Sequence, residues 1–365
     1  SMIARSPLAP VFLSSALSAM AFTASSVNSS PTPSSSKSLV YCLISEFLGS
    51  LSIRISASLS SASRETVIGT RPINSGINPN FTKSCGSACL NASPTLSSVF
   101  DFTSELKRYY PIVYHELDEI LSRHDVEHGL LKGTADYWCR DFMPVQAYGG
   151  AFVQFRYHPD YLKEERKYET PTDVSVKLAK TLTQSSVTGS SIVADGGNFT
   201  VVPVRNGMSV KPVVVMTEKV FFENPNMGRN KTCSQLKGLF PKHDFVFLPW
   251  DRKDTCGHTD GILHAVGNNR ILVNLVPYPE EIAERMRKIL SAYFEVIDLK
   301  LSAYPDNSWA YINMIHTENV IIVPGLGLPT DKEAMIQIKK LFPEYDGRIY
   351  QVQIPSIVKK GGALN

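Results

Sequence analysis

Val213-Val-Val-Met216 reads as a strand, the stretch ending Gln235-Leu-Lys-Gly-Leu-Phe240 as a helix, and Phe245-Val-Phe-Leu248 as a return strand. The same order recurs along the chain. Ile271-Leu-Val273 is followed by a helical pattern over 280–290 and a strand over 294–299. Val320-Ile-Ile-Val323 is followed by a helix over 331–342 and a strand over 348–354, and an earlier copy runs 152–157, 174–182, 191–194. Leu239-Phe-Pro241 and Leu341-Phe-Pro343 mark the same helix end in two copies. With the strand that precedes each apolar run, such as Ile262 to Val266, each copy is a hairpin, a helix and a return strand, repeating every roughly 50–60 residues.

Four units are visible and a fifth is split. An amphipathic helix over 105–123 has Tyr109, Ile112, Val113, Leu117 and Ile120 on one face, and a strand follows at 126–131. These would complete a unit whose hairpin begins at Gly361-Gly362, so that the chain ends meet and close a ring. The predicted fold class is α/β, a five-bladed propeller of ββαβ units. An open mixed sheet with helices on both faces is the alternative.

Composition separates two regions. Residues 1–99 are serine-rich, lack Asp, and hold Tyr41 as their one Tyr or Trp. Such sequence buries little and is expected to be disordered. A signal-peptide shape over the first 25 residues, an organellar transit peptide, and an unrelated upstream frame joined to a real domain all fit it. The abrupt change near Asp101 favours the last; Ser1 before Met2 reads as a cloning remnant. Residues 100–365 read as one globular domain. The chain has 365 residues, 43% of them hydrophobic, and a net charge of +3, which gives no electrostatic case for nucleic acid. No apolar run reaches the roughly 18–20 residues of a membrane span, so no membrane is expected. The cytoplasm is the expected compartment, unless the first 25 residues are a signal peptide. The six cysteines form no CxxC pair, and neither a metal nor any other cofactor is expected. A homo-oligomer is left open.

Polar motifs sit in phase with the repeat: Trp138-Cys-Arg-Asp141, Asp195-Gly-Gly-Asn198, His258-Thr-Asp260, Tyr311-Ile-Asn313 and Lys360-Gly-Gly-Ala-Leu-Asn365. Singly, each has an ordinary explanation: a turn or salt bridge for Asp141, a tight turn for Gly196-Gly197, a core amide for Asn313, a capped surface turn for His258-Thr-Asp260. In phase, they would converge on one pocket. His258 and Asp260, two apart in a strand, would share a face. Several carboxylates, an imidazole and a tryptophan suit a guanidinium: the carboxylates grip its five-donor fork, Trp138 stacks on it, and His258 carries a proton.

These motifs resemble the agmatine deiminase and Porphyromonas-type peptidyl-arginine deiminase family of the pentein superfamily, over about 101–365. The resemblance implies that Asp141 and Asp260 hold the guanidinium of a small substrate such as agmatine or arginine. It implies that His258 is general acid and then general base, that Asp195 orients His258, and that Asn313 lines the site with Trp138, Gly361 and Gly362. The implied reaction is hydrolytic deimination through a cysteine thiolate. In that family the cysteine follows a Gly-Gly-x-x-His pattern; here Asn365 stands where the His would be, the cysteine would be the next residue, and the chain as given is expected to be inactive. Cys139 and Cys256, at odd spacing from motif residues, would face away from the pocket. A non-catalytic binding protein and a metal-dependent hydrolase using His258, Asp260 and Asp141 are the competing readings.

Overall fold

The structure is a computed structural model and describes residues 99–147, 152–183 and 185–365. The expectations for 1–98 lie outside the described residues. In chain order, β1 (Val99–Thr103), α1 (Ser104–Tyr109), α2 (Pro111–Arg123) and β2 (Glu127–Leu131) come first. Next are α3 (Cys139–Phe142), β3 (Val145–Gln146), β4 (Phe152–Arg156), α4 (Thr172–Thr183) and β5 (Val187–Val193). Then follow β6 (Thr200–Asn206), β7 (Ser209–Thr217), α5 (Lys219–Glu223), α6 (Gly228–Leu239) and β8 (Asp244–Leu248). The remainder is β9 (Leu263–Gly267), β10 (Arg270–Val273), α7 (Glu280–Leu290), β11 (Glu295–Asp298), β12 (Ile315–His316), β13 (Ile321–Gly325), α8 (Thr330–Leu341), β14 (Ile349–Gln353) and α9 (Pro355–Val358).

Among the described residues the strands form five separate sheets: β1-β2, β3-β4-β5, β6-β7-β8, β9-β10-β11 and β12-β13-β14. In each three-stranded sheet the first pair is antiparallel and the second parallel, with a helix between the parallel strands. That is the ββαβ unit, four times. The central strands β7, β10 and β13 are the apolar runs that the sequence singles out, and Val213–Met216, Ile271–Val273 and Ile321–Val323 are buried, as expected of strands covered on both faces. Across them lie the amphipathic helices; α7 buries Met286 and Leu290, with Glu280 and Glu281 in its first turn and Arg287 and Lys288 in its last, matching the helix dipole.

The Leu-Phe-Pro ends have one physical cause. The residue before proline is barred from the helical region by the ring Cδ. Phe240 (φ −126°, ψ 66°) and Phe342 (φ −121°, ψ 60°) therefore stop α6 and α8, and each ring turns into the core. Tyr110 before Pro111 has the same conformation (φ −132°, ψ 57°). It splits the expected 105–123 helix into α1 and α2. The buried face is accordingly Val113, Tyr114, Leu117, Ile120 and Leu121, while Tyr109 and Ile112 are 57% and 82% exposed.

The fifth unit also differs from expectation. Residues 361–365 form no strand. Instead β1 pairs in parallel with β2, Val99 to Glu127 through Thr103 to Leu131, so β1 runs through the boundary drawn between residues 99 and 100. The ends still meet in one core: Phe102, Val113, Leu117 and Leu121 pack in the same cluster as Ile321, Val352, Ile354 and Leu364. No helix among the described residues is long and apolar enough to cross a membrane.

Candidate active site

Four of the polar motifs lie on or beside a single helical turn just before a unit's first strand, not within a strand, and the fifth lies in an irregular stretch. The turns are α3 and the 3₁₀ turns Gly196–Asn198, Thr259–Gly261 and Ser308–Tyr311; the irregular stretch follows α9. His258 is extended (φ −88°, ψ 139°) and Asp260 sits in the 3₁₀ turn that follows, so strand alternation is not what aligns them. The turn brings them to the same pocket.

Successive turns touch. Gly197 N donates to Asp141 Oδ1 at 3.0 Å. The Thr259 hydroxyl donates to the Gly197 carbonyl at 3.5 Å. Gly261 faces the Trp309 ring, which a Cβ there would meet at 3.4 Å, and Asn365 N donates to Asn313 Oδ1 at 3.0 Å. Gly362 lies on Trp138: a Cβ there would stand 2.4 Å from the ring. The fifth motif thus meets the first.

The glycines serve close approach. A Cβ on Gly197 would stand 2.5 Å from His258 Nδ1 and 2.7 Å from Asp141 Oδ1, and one on Gly196 would stand 2.0 Å from the Arg140 carbonyl. Neither has a positive φ: the pair does sit in a tight 3₁₀ turn, and close approach rather than a left-handed backbone is what excludes a side chain there. Gly361 is different, with φ +94°, the left-handed region that glycine enters without strain.

Trp138, Asp141, His258, Asp260, Asn313, Gly361 and Gly362 line one pocket of about 880 Å³, within the usual range for small-molecule sites, about 300–1,000 Å³. Asp195 is not among the lining residues. It is 2% exposed and sits against His258, with Oδ2 3.0 Å from Nε2. Asp141 Oδ1 lies 3.6 Å from Nδ1. The imidazole is held between two carboxylates. Burial opposes its charge, but Asp141 and Asp195 outweigh burial and raise its pKa well above the ordinary histidine value. Burial pushes Asp141 up to about 7, against the pull of the His258 charge. Asp260 is also raised by burial, restrained by His258, by Arg140 and by a hydrogen bond with Asn313.

Several lining groups escaped the sequence reading. Cys256 borders the pocket, contrary to the odd-spacing argument, because the loop before His258 is not a strand. Burial raises its thiol to about 11, so little thiolate exists near neutrality. Cys139 lies elsewhere, its Sγ toward the Asp101 carbonyl at 3.7 Å. Arg140, 4% exposed, donates to the Phe199 carbonyl at 2.8 Å and sets a buried positive charge near Asp260. Its place inside the Trp-Cys-Arg-Asp motif was the available signal. Tyr161, on the 3₁₀ turn Asp160–Leu162, and Tyr278 also line the pocket with no repeat to flag them, while Trp309 lies on the in-phase turn Ser308–Tyr311, two residues before Tyr311.

A sequence profile of the Porphyromonas-type peptidyl-arginine deiminase family matches residues 108–365. The chain belongs to this family. Solved structures similar to this deiminase-family chain include a C. jejuni agmatine deiminase, at 17% identity and TM-score 0.56, covering 79% of this chain and 93% of that one. The agmatine deiminase of Enterococcus faecalis matches at 16% identity and TM-score 0.52, covering 76% and 83%. A protein described as an arginine deiminase of Porphyromonas gingivalis matches at 17% identity and TM-score 0.50, covering 74% and 83%. At these identities the likeness is one of fold, that of the pentein superfamily. No functionally curated protein matches the chain.

Proposed function

We propose that this family member deiminates a small guanidino substrate by covalent catalysis. The observation that carries the reading is one pocket lined by Asp141, His258, Asp260 and Trp138, with Asp195 against His258. Asp141 and Asp260 hold the guanidinium by charge-assisted hydrogen bonds, and Trp138 stacks on it. A thiolate adds to the guanidinium carbon. His258, cationic at rest, gives its proton to the leaving nitrogen, and ammonia departs from an amidino-thioether. His258, now neutral, takes a proton from water as the water adds to that carbon. Collapse expels the thiolate, the hydroxyl proton passes to solvent or to the departed ammonia, and a ureido product is left. In the family pattern the thiol belongs one position after that of Asn365. Asn365 lines the pocket, with its Nδ2 3.4 Å from Asp260 Oδ2, which supports that placement. The high pKa of Cys256 argues against it as the nucleophile.

Agmatine is the preferred substrate. The lining carries Asp136, Asp141, Asp251, Asp254, Asp260 and Asp306 against Lys253 and Lys360, and no arginine. This balance favours a second positive charge over a carboxylate on the substrate tail. The succession of touching motif turns, with the fifth on the first, also supports five units set around a common axis.

The test is ammonia release from agmatine, free arginine and a peptidyl arginine. Two forms are compared: the chain ending at Asn365 and the same chain extended by a cysteine. The extended form is expected to turn over agmatine fastest. The unextended form should bind agmatine and release no ammonia above background. Equal turnover by both forms would refute the placement of the thiolate. Binding without turnover by the extended form would favour a binding protein.

A further inference from the structure

Behind Asp195 lies a buried polar chain that the proposed reaction does not use. The Tyr161 hydroxyl donates to Asp195 Oδ2 at 3.0 Å. This is the oxygen that faces His258 Nε2, also at 3.0 Å. The other oxygen, Asp195 Oδ1, is buried without a hydrogen-bond partner among the described residues. The Tyr161 ring stands edge-on to the imidazole, centroids 6.2 Å apart. Lys219 Nζ lies 4.9 Å over the same ring. Lys219 is 1% exposed; it donates to Asp160 Oδ1 at 2.7 Å and to the Thr255 carbonyl at 2.5 Å, and stands 3.7 Å from Glu223 Oε1.

Two donors thus share one carboxylate oxygen. Each hydrogen bond stabilises the anion and weakens its pull on the other donor's proton. A cation over the phenol ring makes its hydroxyl a stronger donor. We infer that Tyr161 is a positioning residue: its hydroxyl fixes the Asp195 carboxylate against His258 and, with Lys219 over its ring, sets how tightly the imidazole holds its proton. The inference rests on the reading of His258 as the acid–base group. Burial and the facing carboxylates keep the phenol protonated, as a donor must be.

Other charges act on the same centre. His258 is faced by Asp141, Asp260 and the Cys256 thiol. Asp195 is faced by Asp141, Glu223 and Lys219, and Tyr157 stands beside Tyr161. These carboxylates and Lys219 act on Asp195 through their fields, whereas Tyr161 and His258 act through bonds to it. Removing the Tyr161 bond therefore leaves His258 as the one side-chain donor to Asp195 Oδ2, and His258 holds its proton harder.

The test is an NMR titration of His258, its resonance identified by its absence in His258→Gln. Tyr161→Phe, which keeps the ring, should move the His258 titration upward by on the order of one unit. A fluorinated tyrosine at 161, a stronger donor, should move it downward, and Lys219→Met should move it upward. In the cysteine-extended form, Tyr161→Phe should cut kcat about tenfold, the counterpart of a one-unit mismatch, with KM within about twofold. The titration needs no turnover, so it separates failure of this inference from failure of the deiminase reading. An unmoved His258 titration in both Tyr161 variants would overturn the inference. So would a raised KM at constant kcat, because Tyr161 lines the pocket and would then be a substrate contact.

Discussion

Asp141 is pulled two ways: burial favours its neutral form, and the neighbouring imidazolium favours its anion. A guanidinium binds the anion. Agmatine affinity should therefore rise as pH rises through about 7, where Asp141 loses its proton. Below that pH, binding should release protons. Calorimetry at pH 6.5 in two buffers of different ionisation enthalpy reads this directly, and equal heats in both would contradict it. Asp260 makes a sharper case. Asp260→Asn removes a charge-assisted bond, and agmatine binding should weaken by about 1.5–3 kcal/mol. A neutral ureido analogue should lose far less in the same titration. Equal losses for both ligands would remove the carboxylate clamp.

At the scale of elements, the pre-proline phenylalanines end helices and fill the core with the same residue. Phe342 packs edge-on against His264, His316 and Tyr345, with centroids at 6.2, 5.0 and 6.3 Å. Phe342→Ala should cost about 3–5 kcal/mol, seen as a lower denaturant midpoint at unchanged slope. A loss below about 1 kcal/mol would mean that the site collapses around the cavity. This element shows what was legible in the sequence. Leu-Phe-Pro recurs because geometry demands a non-helical residue there, and the recurrence exposed the repeat. The same rule applied at Tyr110-Pro111, yet amphipathic periodicity hid it, because a pattern of apolar spacing does not register a single backbone break. β1 was missed for another reason: its five residues adjoin a serine-rich stretch whose composition masked them. The motif residues were found by phase, which needs no knowledge of local backbone. Their placement on helical turns, and the pocket contributions of Tyr161, Cys256 and Tyr278, depend on loop geometry that periodicity does not encode.

Across the whole molecule, buried titratable groups set the pH dependence of stability. Burial raises Asp136 to about 6, Asp141 to about 7 and Glu223 to about 8. The folded chain keeps these protons where the unfolded chain has lost them, so their contribution falls as pH rises from the ordinary carboxylate range to about 8. His258, also raised, adds to that fall above the ordinary histidine pKa. His264, lowered by burial to about 4, and His316, lowered by burial and by His264, act in the opposite sense: they favour folding as pH rises toward about 6.5. The two sets oppose each other between about pH 4 and 6.5, and only the falling set acts above it. Thermal unfolding should therefore show a shallow Tm profile up to about pH 6.5 and a steeper decline to 8. A Tm that climbs from 6.5 to 8 would show that the buried carboxyls do not hold protons.

The shared core of the first and last sheets bears on how the chain is made. His124, at the end of α2, meets the Tyr350 hydroxyl at 2.9 Å across 226 positions of sequence. Asn319 Nδ2 bonds the His124 carbonyl, and the α2 face is buried in the cluster that holds Val352 and Ile354. At about 5–20 residues per second, a ribosome needs roughly 10–45 s to supply those partners. Throughout that interval Leu117, Ile120 and Leu121 are synthesised but uncovered. The nascent chain therefore carries the apolar face of α2 uncovered until β14 emerges. An apolar face left open for that long invites capture by a holding chaperone until β14 arrives to cover it.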